Sequence, residues 1–146
     1  MKRILIILFA ATLLSGCQKK ISAEDLSKIN GYWEIEKVIF PDGNHKEYTV
    51  NETFDYFNIE HQQGFRKKVT PQLDGTFLVN ETSEAIQISK KDSKYFLNYR
   101  TPFAKWREEL LTLSDSELVT LNASGKEYHY KRAAPINLTG NGKKAQ

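Results

Sequence analysis

The chain has 146 residues, with 21 basic and 18 acidic side chains, 12% aromatic residues and a single cysteine. Residues 1–16 hold two of the basic residues and no acidic one, so the remaining 130 residues carry 19 against 18, a near-neutral balance that argues against nucleic acid as a partner. One cysteine excludes an intramolecular disulfide, and 130 residues suffice for one domain held by its core alone.

Lys2 and Arg3 precede an apolar run from Ile4 to Leu14, followed by small residues before Cys17. That order of charged, apolar and small regions is the form of a secretory signal, and the run is shorter than the roughly 20 residues of a membrane-spanning helix. Leu14-Ser15-Gly16-Cys17 resembles the bacterial lipobox, in which the cysteine is acylated and becomes the first mature residue. The resemblance implies a signal peptide over 1–16 and a diacyl or triacyl, palmitate-type anchor on Cys17. Several such chains hold a protein to a bilayer where a single myristoyl chain would not. Gln18 follows the cysteine where an aspartate would imply inner-membrane retention, so the implied address is the outer membrane, facing the periplasm. Residues 17–23 then form a tether, whose Lys19 and Lys20 either meet anionic head groups or stay solvated.

Ser22 to Ile29 reads as a short helix, because Ser22 and Asp25 have capping-box spacing, with Leu26 and Ile29 placed to plug one end of the domain. From Gly31 to Arg132, β-rich runs alternate with turn residues. "GYWEIEKVIF" ends at Pro41-Asp42-Gly43-Asn44, and "HKEYTVNETFDYFNIE" reads as one long run ending at Gln62-Gln63-Gly64. "FRKKVTP" ends at Leu73-Asp74-Gly75, and its Arg66 to Lys68 segment, the densest basic run of the domain, reads as a solvated hairpin. "TFLVN", "EAIQISK" and "KYFLNYR" follow. At residues 102–111 two readings stand: Thr101 caps a helix with Pro102 at its first position, or a strand starts at Trp106 with Leu111 and Leu113 continuing an alternation. The second is preferred, and "ELVTLN" and "KEYHYKR" complete the series. Residues 133–146, broken by Pro135, Gly140 and Gly142, read as a disordered tail. The sum is an all-β domain of eight or nine antiparallel strands. A closed up-and-down barrel, which removes open strand edges, is favoured over a β-sandwich.

In the first strand Trp33, Ile35 and Ile39 fall on one face, and Glu34 and Glu36 on the other. Gly31 frees the chain to turn from the helix onto the sheet. Gly31 and Trp33 as G-x-W, the Pro41-Asp42-Gly43 turn, and "LLTLSDSELVTLNASGKEYHYKR" as closing hairpins resemble the lipocalin and fatty-acid-binding superfamily, most nearly the lipocalin-like lipoproteins of Bacteroidetes-type bacteria. The resemblance spans about residues 24–132 and implies a lipocalin-like barrel there. It also implies that Trp33 packs across the closed end against a basic residue from the last strand, and the matching residue is Arg132. By strand parity Arg132 shares a face with Tyr128 and Tyr130. The threonine-aspartate-tyrosine motif and the disulfide of typical lipocalins are missing.

Tyr95, Leu97 and Tyr99 share one face of their strand. With Ile35, Tyr128 and Tyr130 they either line a cavity suited to a small ligand or pack against one another across strands. His45, His61 and His129 lack metal-ligand spacing, Glu108 and Glu109 diverge from a strand as neighbours, and no hydrolase or nucleotide-binding motif occurs. No enzyme activity, metal or cofactor is therefore expected. Two functions are expected in competition. One is an outer-membrane-anchored lipoprotein binding a small apolar or amphipathic molecule in its barrel. The other is a non-catalytic interaction module, an inhibitor or assembly factor, presenting loops to an envelope protein.

Overall fold

The structure, a computed structural model, describes residues 20–79 and 81–133. Cys17 and residues 134–146 lie outside the described residues. The first element is a 3-10 helix, Glu24–Ile29, in front of which Ser22 and Asp25 form the expected reciprocal cap: Asp25 N–H donates to Ser22 Oγ at 3.2 Å, and Ser22 N–H donates to Asp25 Oδ2 at 3.0 Å. Asn30 then ties the helix to the sheet, since its amide donates to Ile59 O at 2.9 Å and its carbonyl oxygen accepts from Ile59 N–H at 2.7 Å.

Ten antiparallel strands follow: β1 (Gly31–Ile39), β2 (His45–Glu47), β3 (Phe54–Glu60), β4 (Gln63–Pro71), β5 (Phe77–Val79), β6 (Glu84–Lys91), β7 (Lys94–Arg100), β8 (Lys105–Leu113), β9 (Glu117–Asn122) and β10 (Glu127–Arg132). Eight of them close in chain order into an up-and-down barrel, from β1 through β3, β4, β6, β7, β8 and β9 to β10, which pairs back onto β1. That closing pair decides for the barrel over the sandwich. The two short strands are additions, β2 on β1 and β5 on β4.

The structure corrects five local readings. The run from His45 to Glu60 is two strands, because residues 48–53 leave the sheet. The β3–β4 turn is His61-Gln62, both at positive φ as in a two-residue primed turn, and Gly64 sits inside β4. A Cβ at Gly64 would lie 1.9 Å from Asn58 O, so the close approach of β3 demands glycine there. In β1 the register shifts between Ile35 and Lys37. Val38 therefore takes the inward position opposite Tyr128, and Ile39 does not share the face of Trp33. A second shift between Leu110 and Thr112 puts Trp106, Glu108, Leu110 and Leu113 inward and leaves Leu111 at the bulge. Finally, Arg66 is buried inside the barrel, whereas Lys68 reaches Asp55 from a half-exposed position at the mouth and Lys67 lies over the Phe65 ring, so one member of the basic run is not solvated. The strand reading of 105–113 holds, and Thr101 closes a turn by accepting from Phe103 N–H and Ala104 N–H.

The core fills the end of the barrel nearest the helix, where Ile29, Trp33, Phe57, Ile59, Leu97 and Leu118 are buried together. Strand parity then makes the two ends unlike. The helix and the short β3–β4 and β6–β7 turns cover one, and the longer β2–β3, β4–β5 and β7–β8 connections surround the other.

Candidate functional site

At the closed end the geometry is built around Arg132. It stands directly opposite Trp33 in the β1–β10 register, with its guanidinium 3.8 Å from the centre of the indole. The three donor nitrogens end on backbone carbonyls: Nη1 on Asn30 O at 2.7 Å, Nη2 on Lys28 O at 2.6 Å and Nε on Asp115 O at 3.0 Å. Arg132 thus satisfies carbonyls at the end of the 3-10 helix that would otherwise lack donors, and it ties the helix to the β8–β9 connection. The indole N–H donates to Ile29 O at 2.7 Å, so the one polar atom of a fully buried ring is also satisfied. Gly31 adopts φ +110°, and a Cβ there would meet Arg132 Nη1 at 3.0 Å. Glycine is required twice over, for its backbone angle and for the space the guanidinium occupies.

The opposite end is open. A pocket of about 540 Å³ enters the barrel there, lined in part by Ile35, Lys68, Trp106, Asn122, Tyr128 and Tyr130. Arg66 and Glu108 form its floor, only 8% and 7% exposed. Arg66 Nε donates to the Glu84 carboxylate, and its guanidinium lies 4.6 Å from the Tyr99 ring centre, while Trp106 stacks on the same ring at 5.0 Å. Lys68 Nζ meets both oxygens of buried Asp55, at 2.7 and 2.9 Å. Tyr99 Oη donates to Glu108 Oε2 at a long 3.4 Å, and Tyr128 Oη accepts from the Asn122 amide at 3.2 Å. Burial disfavours the Arg66 cation, but the oxygens of Tyr99, Asp55 and Glu84 outweigh it and leave its pKa raised. Burial likewise pushes the Tyr99 and Tyr130 phenols well above their ordinary value, which keeps both as neutral hydroxyls.

Of the six residues read as ligand-lining, Ile35, Tyr128 and Tyr130 line this mouth. Tyr95 and Leu97 are buried in the packed half, and Tyr99 lies beneath the floor between Arg66 and Trp106. Sequence reasoning missed the polar layer of Asp55, Arg66 and Glu108. The signal was present in strand parity, because Asp55 alternates with Phe57 and Ile59, and Glu108 with Trp106 and Leu110. A larger depression of about 800 Å³ lies on the outer wall, where the cross-strand partners Gln63, Gln87, Asn98 and Arg107 line it. Its polar, solvent-facing lining makes it a groove of the surface. Among the described residues no group of three or more His, Cys, Asp or Glu is placed to hold a metal.

Comparison with known proteins gives similarity at both the fold and the N-terminus. The barrel is similar to the crystal structure of a lipocalin-like protein from Bacteroides uniformis, at 16% identity, with 73% of this chain and 99% of that chain covered and a TM-score of 0.46. It is also similar to an uncharacterized protein from Bacteroides eggerthii, at 12% identity, 71% and 98% coverage and a TM-score of 0.45. A search of curated proteins by sequence found no match. Residues 1–18 match the family model of the prokaryotic membrane lipoprotein lipid attachment site, a segment that contains Cys17 and supports anchoring of the chain to a membrane through a lipid.

Proposed function

We propose that this is an outer-membrane-anchored, non-catalytic binding lipoprotein that takes a small amphipathic molecule into the mouth of its barrel. The observation that carries the reading is the 540 Å³ pocket at the open end. It falls within the roughly 300–1,000 Å³ typical of small-molecule sites and combines apolar and aromatic walls with a few polar groups. The apolar part of such a ligand packs on Ile35, Trp106 and the Tyr128 ring, and its polar end meets the floor. A long alkyl tail does not continue into the closed half, which Leu97, Leu118 and Trp33 already fill. The mature protein, purified from membranes and held in phosphatidylcholine vesicles, is expected to bind an environment-sensitive apolar dye at one per chain above the vesicle-only signal. An unresponsive dye and an empty protein by native mass spectrometry would count against the pocket.

A specific feature favours the second reading, an interaction module. The loops around the mouth expose large apolar side chains: Val50 is 85% exposed, Leu73 77% and Phe103 97%. Three such residues on three neighbouring loops suit contact with an envelope protein. Substituting all three with serine is expected to abolish co-purification of a partner on this reading and to leave dye binding unchanged on the first.

A further inference from the structure

The charges that face the mouth do not balance. Two cations face it, Arg66 and Lys68, against three carboxylates, Asp55, Glu84 and Glu108. Arg66 is engaged by Glu84 and lies 3.8 Å from Asp55, and Lys68 is engaged by Asp55. Arg107 also borders the mouth, but its guanidinium sits over the outward Phe96 ring at 4.6 Å. Glu108 is left over. Among the described residues its carboxylate has no cation within ion-pair distance, and its one hydrogen-bond partner is Tyr99 Oη at 3.4 Å. Glu108 is 7% exposed as a residue and lines the pocket, so a cation that enters the mouth can pair with its carboxylate. Trp106 and Tyr128 line the same pocket, and their electron-rich ring faces attract a cation rather than an anion.

Resting on the reading of the mouth as a ligand pocket, we infer that its ligand carries a positive charge: an organic ammonium whose head group pairs with Glu108 and whose apolar body lies against Trp106, Tyr128 and Ile35. An anionic amphiphile would raise the excess negative charge at the floor, because buried Arg66 and half-exposed Lys68 are already paired.

The test compares three probes of equal chain length, octylamine, octanol and octanoate, by calorimetry. The mature acylated chain is held in phosphatidylcholine vesicles, and vesicle-only heats are subtracted. Octylamine is expected to bind about tenfold or more tighter than octanol, the scale of a hydrogen bond to a charged group, and octanoate weaker than octanol. Glu108→Gln is expected to remove the advantage of octylamine while changing octanol binding by far less. Should that variant not fold, the order of the three probes on the unmodified protein decides alone. Octanol or octanoate binding as tightly as octylamine, or a folded Gln variant that keeps the full preference, overturns the inference while the pocket reading stands. Failure of all three probes to bind overturns both.

Discussion

Trp33 carries the largest single share of the closed end, because it is fully buried, hydrogen-bonded through its indole N–H and stacked under Arg132. Trp33→Ala is expected to cost about 3–5 kcal/mol, a large part of the stability of a domain this size. Arg132→Ala loses the stacking and three hydrogen bonds to carbonyls and is expected to cost less. A double-mutant cycle followed by urea denaturation should show coupling of at least about 0.5 kcal/mol, the size that separates contacting residues from independent ones. Strict additivity would mean that the guanidinium is not held against the indole. Thr120 gives the opposite kind of prediction. Its hydroxyl is buried and has no hydrogen-bond partner among the described residues, so Thr120→Val should be neutral or stabilising in the same denaturation experiment. The pairing of Trp33 with Arg132 was implied by the family resemblance that G-x-W carries, and it lies at the ends of two strands with no bulge between the pair in register. Arg66 was not legible in this way. A basic triplet looks solvated until the barrel turns its first member inward.

At the scale of elements, the sequence patterns located strands well and their faces less well. The two bulges explain the difference: each inserts one residue into β1 or β8, so any alternation counted across it inverts. Ile39 was assigned to the wrong face for that reason, and the alternation read through Leu111 and Leu113 breaks at the second bulge, with no local composition signal to prevent either. The 3-10 helix was readable from its cap, and the cap makes a pH prediction. Lys28 first, then the backbone and hydroxyl of Ser22, hold the Asp25 carboxyl below its ordinary value of 3.8. A depressed carboxyl contributes stability that is present above its unfolded pKa and lost as pH falls through the folded one. Asp25→Asn should therefore melt at a lower temperature than the parent at pH 7, and the two curves should converge as pH falls well below 3.8. A constant gap across that range would remove the cap from the account.

For the whole molecule, the first described residues, which follow the lipid attachment segment, lie at the closed end, opposite the mouth. Ile21 packs against the core beside the helix, and between Cys17 and Lys20 the chain spans at most about 11 Å. Acylation of Cys17 would therefore keep the closed end near the bilayer and turn the mouth away from it, roughly 30 Å off along a nine-residue strand. In vesicles, a fluorophore placed through Asp92→Cys on the β6–β7 turn should be quenched by head-group-labelled lipid, and one placed through Phe103→Cys on the rim should not. Cys17→Ser should release the protein from the membrane fraction. The central claim is that ligands enter only the mouth, and the two tryptophans report on it separately. Trp106 lines the pocket, whereas Trp33 is sealed at the far end. The deciding measurement is tryptophan emission during titration with a saturating apolar amine, for the parent chain and for Trp106→Phe. A saturable change is expected in the parent and none in the variant, where only Trp33 emits. An equal response in the variant, or none in either chain while calorimetry records binding, would contradict it.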